Sequence, residues 1–241
     1  TAALQMTTTT DEVQSYKGGS GVDTVTIGRN ASGWSSKATI DGGNGSADVL
    51  VANYAAAGTD VALGNAANVK GFEVLRLGAA ADSTGGAYDA SGFSTVQVGA
   101  VAGKVTFSNT AAGLTLDVLD NTTGNQTVTV NGANYSATNS AMTINLGTAN
   151  TAAAGAASNA KVINGGGATT GAITANGIEA LTVNAVANLV TAGAATQGNV
   201  ATINGVASNG AATLTVGGAS SLTLTADTGF TSINASGNTR T

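Results

Sequence analysis

Short segments in which apolar and polar residues alternate with a period of two recur along the whole chain. They are TVTIG at 24–28, DVLVA at 48–52, EVLRLG at 73–78, STVQVG at 94–99, KVTFS at 104–108, LTLDVL at 114–119, QTVTV at 126–130, MTINLG at 142–147, ALTVNA at 180–185, ATLTVG at 212–217 and SLTLTA at 221–226. Each is short, rich in β-branched residues and bounded by Gly, Asn, Asp or Ser, which is the pattern of strands and not of helices. A chain punctuated this way is restricted to an all-β fold. With 35 glycines and no proline, its bends are left to Gly, Asn, Asp and Ser. The Ala-rich stretches ATNSAMT and TANTAAAGAASNA lack leucine periodicity and read as loops.

The segments also repeat weakly. IDGG at 40–43 is followed by KGFEVLRL at 70–77, and INGG at 163–166 by NGIEALTV at 176–183; SGFSTVQV at 91–98 matches TGFTSINA at 228–235. Each copy holds a Gly turn, an apolar anchor and a short strand, the parts that one level of a solenoid needs. A β-sandwich would contribute larger aromatic core residues, and aromatics are only 4% here. The predicted architecture is an irregular parallel β-solenoid, of the β-roll or β-helix kind, with Gly/Asn/Asp-rich turns.

Several chemistries are excluded by absence. Without Cys there is no disulfide, thiolate nucleophile or Cys-held metal, and without His there is no Ser-His-Asp triad. No apolar run approaches the ~20 residues of a membrane-spanning helix. TAALQMTTTT lacks the regions of a signal peptide, and the missing initiator Met and the ending ASGNTRT suggest a piece of a longer chain. No basic stripe exists, so nucleic acid is not an expected partner. Charge is concentrated at one end: residues 1–120 hold eleven of thirteen acids and six of eight bases. Two parts are therefore expected, a cation-binding region over 1–120 and a Thr/Ala/Gly-rich, nearly uncharged continuation over 121–241.

The densest chemical signal is GGSGVDTVTI at 18–27. Gly18, Gly19, Gly21 and Asp23, followed by Val25, fit the nonapeptide G-G-x-G-x-D-x-U-x of calcium-binding parallel β-rolls. Glycines allow a tight turn that offers backbone carbonyls to a hard cation, and the aspartate adds charge. One such turn is half a site, because Ca²⁺ takes six to eight oxygens. Its partner is expected in IDGGNGSADVLVA at 40–52, through Gly43, Asn44, Gly45 and Asp48. Asp48 arrives one residue late, with Ala47 in the expected place, so either a bulge absorbs the insertion or Asp41 substitutes. Asp11 is a candidate acid for a third stacked turn.

The run GGSGVDTVTIG, IDGGNGSADVLVAN, KGFEVLRLGAAA, ASGFSTVQVGAVAGKVTFSN resembles the calcium-dependent RTX-type surface-layer (S-layer) proteins of Gram-negative bacteria, of the Caulobacter type. The likeness covers roughly residues 10–150 by ordered motifs and the remainder by composition. It implies an extracellular, type I-secreted β-solenoid at the cell surface that holds Ca²⁺ and tiles with copies of itself into a two-dimensional lattice. It also implies attachment to lipopolysaccharide, through a part of the chain not present here. Asp23 and the Gly18–Gly21 turn carry over as ligands. The resemblance implies a structural protein without catalytic residues and without a membrane span.

Two other classes fit some residues. A β-helix polysaccharide lyase would pair an acid with Arg76 or Lys70 near Glu73, yet on a strand residues 73 and 76 face opposite sides. Glu73 and Glu179 fit better as equivalent corner residues that hold backbone N–H groups. A Thr-rich adhesin or ice-binding solenoid would use strings such as TVTI, TVTV and SLTLT, although these are unevenly spaced. Trp34, between the two glycine-rich turns, is a candidate lattice contact or a cap on the interior.

Overall fold

Period-two alternation gives a strand one dry and one wet face, and this element builds almost the whole molecule. The computed structural model of the chain describes residues 15–28, 39–54, 68–79, 81, 85–99, 104–119, 128–132, 140–147, 161–162, 173–186, 199–204, 212–218, 222–226 and 230–239. Among these residues regular structure is nearly all β-sheet, helix is almost absent, and every strand pairing is parallel. The all-β expectation is met.

The first strands are β1 (Tyr16–Lys17), β2 (Thr24–Ile27), β3 (Ile40–Asp41), β4 (Val49–Ala52), β5 (Val69–Lys70) and β6 (Val74–Leu77). Then come β7 (Gly86–Asp89), β8 (Thr95–Val98), β9 (Val105–Thr110), β10 (Leu114–Val118), β11 (Val128–Gly132) and β12 (Ala141–Leu146). The chain continues through β13 (Lys161–Val162), β14 (Ile173–Asn176), β15 (Ala180–Ala185), β16 (Asn199–Asn204), β17 (Ala212–Gly218), β18 (Leu222–Ala226) and β19 (Phe230–Asn238). All eleven alternating segments form strands. The two-residue strands β1, β3, β5 and β13 are too short to show any period, and β7, β14, β16 and β19 also lie outside the eleven segments.

Topology follows from how the strands alternate. β2, β4, β6, β8, β10, β12, β15, β17 and β19 form one nine-stranded sheet in chain order. The strands between them form a three-stranded sheet (β1, β3, β5) and then a seven-stranded one. Parallel neighbours normally need a helical crossover; here the return path is a strand of the opposite sheet. β10 pairs with β12 through Leu114↔Met142, so the long sheet runs unbroken past residue 120. No helix among the described residues is long and apolar enough to cross a membrane.

Register stacks like on like. Val25, Leu50, Leu75, Val96, Leu116, Ile144 and Val183 form one inward column of the long sheet, all fully buried. Full burial of each such side chain is worth about 1.5–3 kcal/mol. Aromatics thicken the middle of this aliphatic core. Tyr88 lies 6.0 Å from Tyr54 and 6.4 Å from Phe107 between ring centroids, and its hydroxyl donates to the Tyr54 carbonyl at 2.8 Å.

The repeat noticed in the sequence is a repeated corner. Gly71 and Gly177 both have positive φ, 70° and 75°. Phe72 and Ile178 then turn into the core, and Glu73 and Glu179 precede the next strand.

The wet face of the long sheet is also in register. Thr95, Thr115, Thr143, Thr182 and Thr215 are direct cross-strand neighbours, although 20, 28, 39 and 33 residues separate them along the chain. Two residues further on, Arg76, Gln97, Asp117, Asn145 and Asn184 form a second rank. The threonines, unevenly spaced in sequence, thus fall into step in space.

Candidate metal centre

Two glycine-rich turns lead from the short sheet into the long one, residues 18–23 between β1 and β2 and residues 42–48 between β3 and β4. They stack because their flanking strands pair. Gly18 N donates to the Asp41 carbonyl at 2.7 Å, Asn44 N to the Gly19 carbonyl at 2.8 Å, and Val49 N to the Asp23 carbonyl at 2.8 Å. The second turn is one residue longer, yet the register Thr24↔Val49 sets Asp23 and Asp48 at equivalent positions. The bend before Asp48 absorbs the extra residue, so the acid that comes late in sequence arrives in step in space.

The carboxylates then tie the turns together. Asp48 Oδ1 accepts a hydrogen bond from Asp23 N at 2.7 Å, and Asp23 Oδ2 accepts one from Gly19 N at 2.9 Å. Asp48 is 0% exposed, and among the described residues its Oδ2 is the buried side-chain polar atom left without a partner. A β-carbon on Gly45 would lie 2.6 Å from each Asp48 carboxylate oxygen and 2.6 Å from the Gly21 carbonyl oxygen. Three oxygens therefore crowd a space that only glycine leaves open. A desolvated carboxylate oxygen beside a carbonyl is costly unless a cation or a proton lies between them.

These residues fit a hard divalent cation. Such an ion takes carboxylate and carbonyl oxygens together, whereas softer metals seek sulfur or imidazole. Among the described residues no group of three or more His, Cys, Asp or Glu converges. Backbone carbonyls and water would therefore complete the shell around Asp48, Gly21 and the adjoining Asp23. Bound there, a cation would supply positive charge that joins the two turns.

Of the residues expected at the site, Gly18, Gly19, Gly21, Asp23, Gly43, Asn44, Gly45 and Asp48 lie in this stacked pair of turns. Asp41 borders these turns: its Oδ2 pairs with Lys70 Nζ at 3.3 Å, and its Oδ1 accepts from Gly43 N at 3.1 Å. Asp11 and Trp34 lie outside the described residues.

Glu73 extends the stack, its Oε2 accepting from Asp48 N at 2.9 Å. Glu179 does the same for Ser140 N at 2.8 Å, so the reading of both as N–H-holding corner residues matches the geometry. Arg76 Nε donates to Gln97 Oε1 at 2.7 Å on the outer face and does not converge with Glu73.

Sequence reasoning missed Tyr16, which stands in β1 just ahead of the first turn. Its phenol is pushed above its ordinary value, first by burial, then by the Asp23 hydrogen bond and the charges of Asp23 and Asp48. Its position two residues ahead of Gly18 was the available signal. The outer ranks were also missed, although T-V-Q, T-L-D, T-I-N and T-V-N recur at 95, 115, 143 and 182.

No protein-family model matches this chain, and no curated protein matches it.

Proposed function

We propose that this chain is a structural surface-layer protein, a parallel β-solenoid stapled by Ca²⁺ and assembling with its own copies into a two-dimensional lattice outside the cell. One observation carries the calcium reading: a fully buried Asp48 carboxylate with an unpartnered oxygen, set against the Gly21 carbonyl where two glycine-rich turns stack. The composition supports the rest, since a chain without Cys and with an aliphatic core gains from a metal staple at extracellular calcium levels. Residues 1–120 would carry the staple and residues 121–241 would continue the solenoid, with lipopolysaccharide held by another part of the chain.

A ligand bound only by the native state stabilises it by about 2.7 kcal/mol at a hundredfold excess over its Kd. For a chain of this size that is a shift of about 5–10 °C. Thermal unfolding followed by circular dichroism in calcium and in EGTA measures it. A midpoint indifferent to EGTA would sink the calcium reading. Electron microscopy of the calcium-loaded protein tests the lattice, which requires ordered sheets that EGTA disperses.

A further inference from the structure

Each of four strands of the long sheet presents a threonine and a second polar side chain outward: Thr95 with Gln97, Thr115 with Asp117, Thr143 with Asn145, and Thr182 with Asn184. Parallel neighbours stand about 4.8 Å apart, so the pairs repeat at that interval over roughly 14 Å, and Thr215 extends the hydroxyl rank by one strand. The second rank is a continuous chain of hydrogen bonds. Arg76 Nε donates to Gln97 Oε1 at 2.7 Å, and Gln97 Nε2 to Asp117 Oδ2 at 2.9 Å. From the other side Asn145 Nδ2 donates to Asp117 Oδ1 at 2.8 Å, and Asn184 Nδ2 to Asn145 Oδ1 at 2.9 Å. An amide carries two N–H donors, and each of these three amides spends one along the rank. Each therefore keeps a donor in reserve, beside a half-buried threonine.

We propose that this face binds an extended neutral polysaccharide of equatorially linked hexoses, laid across the strands with one sugar ring over each threonine and its polar partner. Several observations select this occupant. An extended hexose chain is itself a ladder of hydroxyls whose rise per ring is close to the strand spacing, so each ring meets a threonine hydroxyl with a polar partner, an amide at Gln97, Asn145 and Asn184 and a carboxylate at Asp117. Its hydroxyls donate and accept, matching threonine hydroxyls and spare amide N–H groups without any charge. The flanking positions Gly113, Ala141 and Ala180 are small and leave room for rings to lie flat. A polyanion would meet the Asp117 carboxylate on a chain of net charge −5. An extended peptide would add at a sheet edge rather than on a face. An ice surface would have to strip water from Arg76 and Asp117, at a cost that neutral hydroxyls do not incur. The proposal stands independently of the metal centre, which lies at the corner ahead of β2 and β4.

Titration calorimetry of the whole chain with cellohexaose, and with the coiled α-linked maltohexaose as comparison, tests it. Cellohexaose is expected to bind about tenfold tighter or more, because only an extended chain keeps step with the strands. Thr143→Val combined with Thr182→Val keeps shape and strand preference while deleting two hydroxyls, and should weaken cellohexaose binding about tenfold. Lys104→Ala, away from this face, should leave it unchanged, and circular dichroism confirms that all variants fold. Absence of cellohexaose binding, equal affinity for the two sugars, or indifference to the double substitution overturns the proposal. Ice shaping without sugar binding likewise overturns it and assigns the face to ice.

Discussion

The corner that ends at Asp48 and the corner that ends at Glu179 perform the same local task with different consequences. In each, a carboxylate placed just before a strand of the long sheet accepts the backbone N–H of the level before it, Asp23 for Asp48 and Ser140 for Glu179. Glu179 is half-buried and reaches its corner after a single tight glycine. Asp48 is fully enclosed by a longer glycine-rich turn, and its two oxygens and the Gly21 carbonyl border the same space beside Gly45. The hydrogen bond is common to both corners, so burial and turn length are what distinguish the proposed calcium site from a structural clasp.

That contrast breaks most sharply at Asp48. Asp48→Ala removes the acceptor of a buried N–H and should cost about 2–4 kcal/mol in denaturant unfolding. It should also abolish the difference between calcium and EGTA. If the variant is destabilised yet still responds to calcium, the metal lies elsewhere. Gly45→Ala comes next, since its β-carbon would push on both Asp48 oxygens and the Gly21 carbonyl. A loss of about 1–3 kcal/mol is expected, larger in calcium than in EGTA; an equal loss in both would mean crowding without a metal. Glu179→Ala should cost about 1 kcal/mol, leaving one N–H to water, and should leave the calcium response intact.

The smallest effect concerns Tyr16. Because its phenol titrates above its ordinary value in the folded chain, its contribution to stability is fully present below about pH 10 and is lost as pH rises through the folded value. Alkaline difference absorbance at the tyrosinate band should show one late phenol, absent in Tyr16→Phe and moved earlier by calcium. A Tyr16 that ionises with the exposed phenols would remove it from the neighbourhood of Asp23.

Much of the fold was legible. Alternation is local and identifies a strand wherever four or more residues show it, as in TVTI and ALTVNA. It is silent for Tyr16–Lys17 or Ile40–Asp41, which are strands only because neighbouring strands pair with them. At the metal centre the glycines and Asp23 were readable from their spacing. The role of Asp48 was not, because a one-residue insertion looks like a broken motif until the strand register corrects it.

The division between sequence and tertiary structure follows from range. The sequence by itself determined the all-β class, the placement of eleven strands, the concentration of acids in the first half and the glycine turns where a cation would sit. Each of these depends on residues only a few positions apart. The tertiary structure decided that Asp48 is buried with an oxygen unpartnered, that Asp41 is taken by Lys70, and that five unevenly spaced threonines fall in one line. Those outcomes depend on which strands become neighbours, and parallel pairing across sequence separations of unequal length is set by packing of the inward columns rather than by any local pattern.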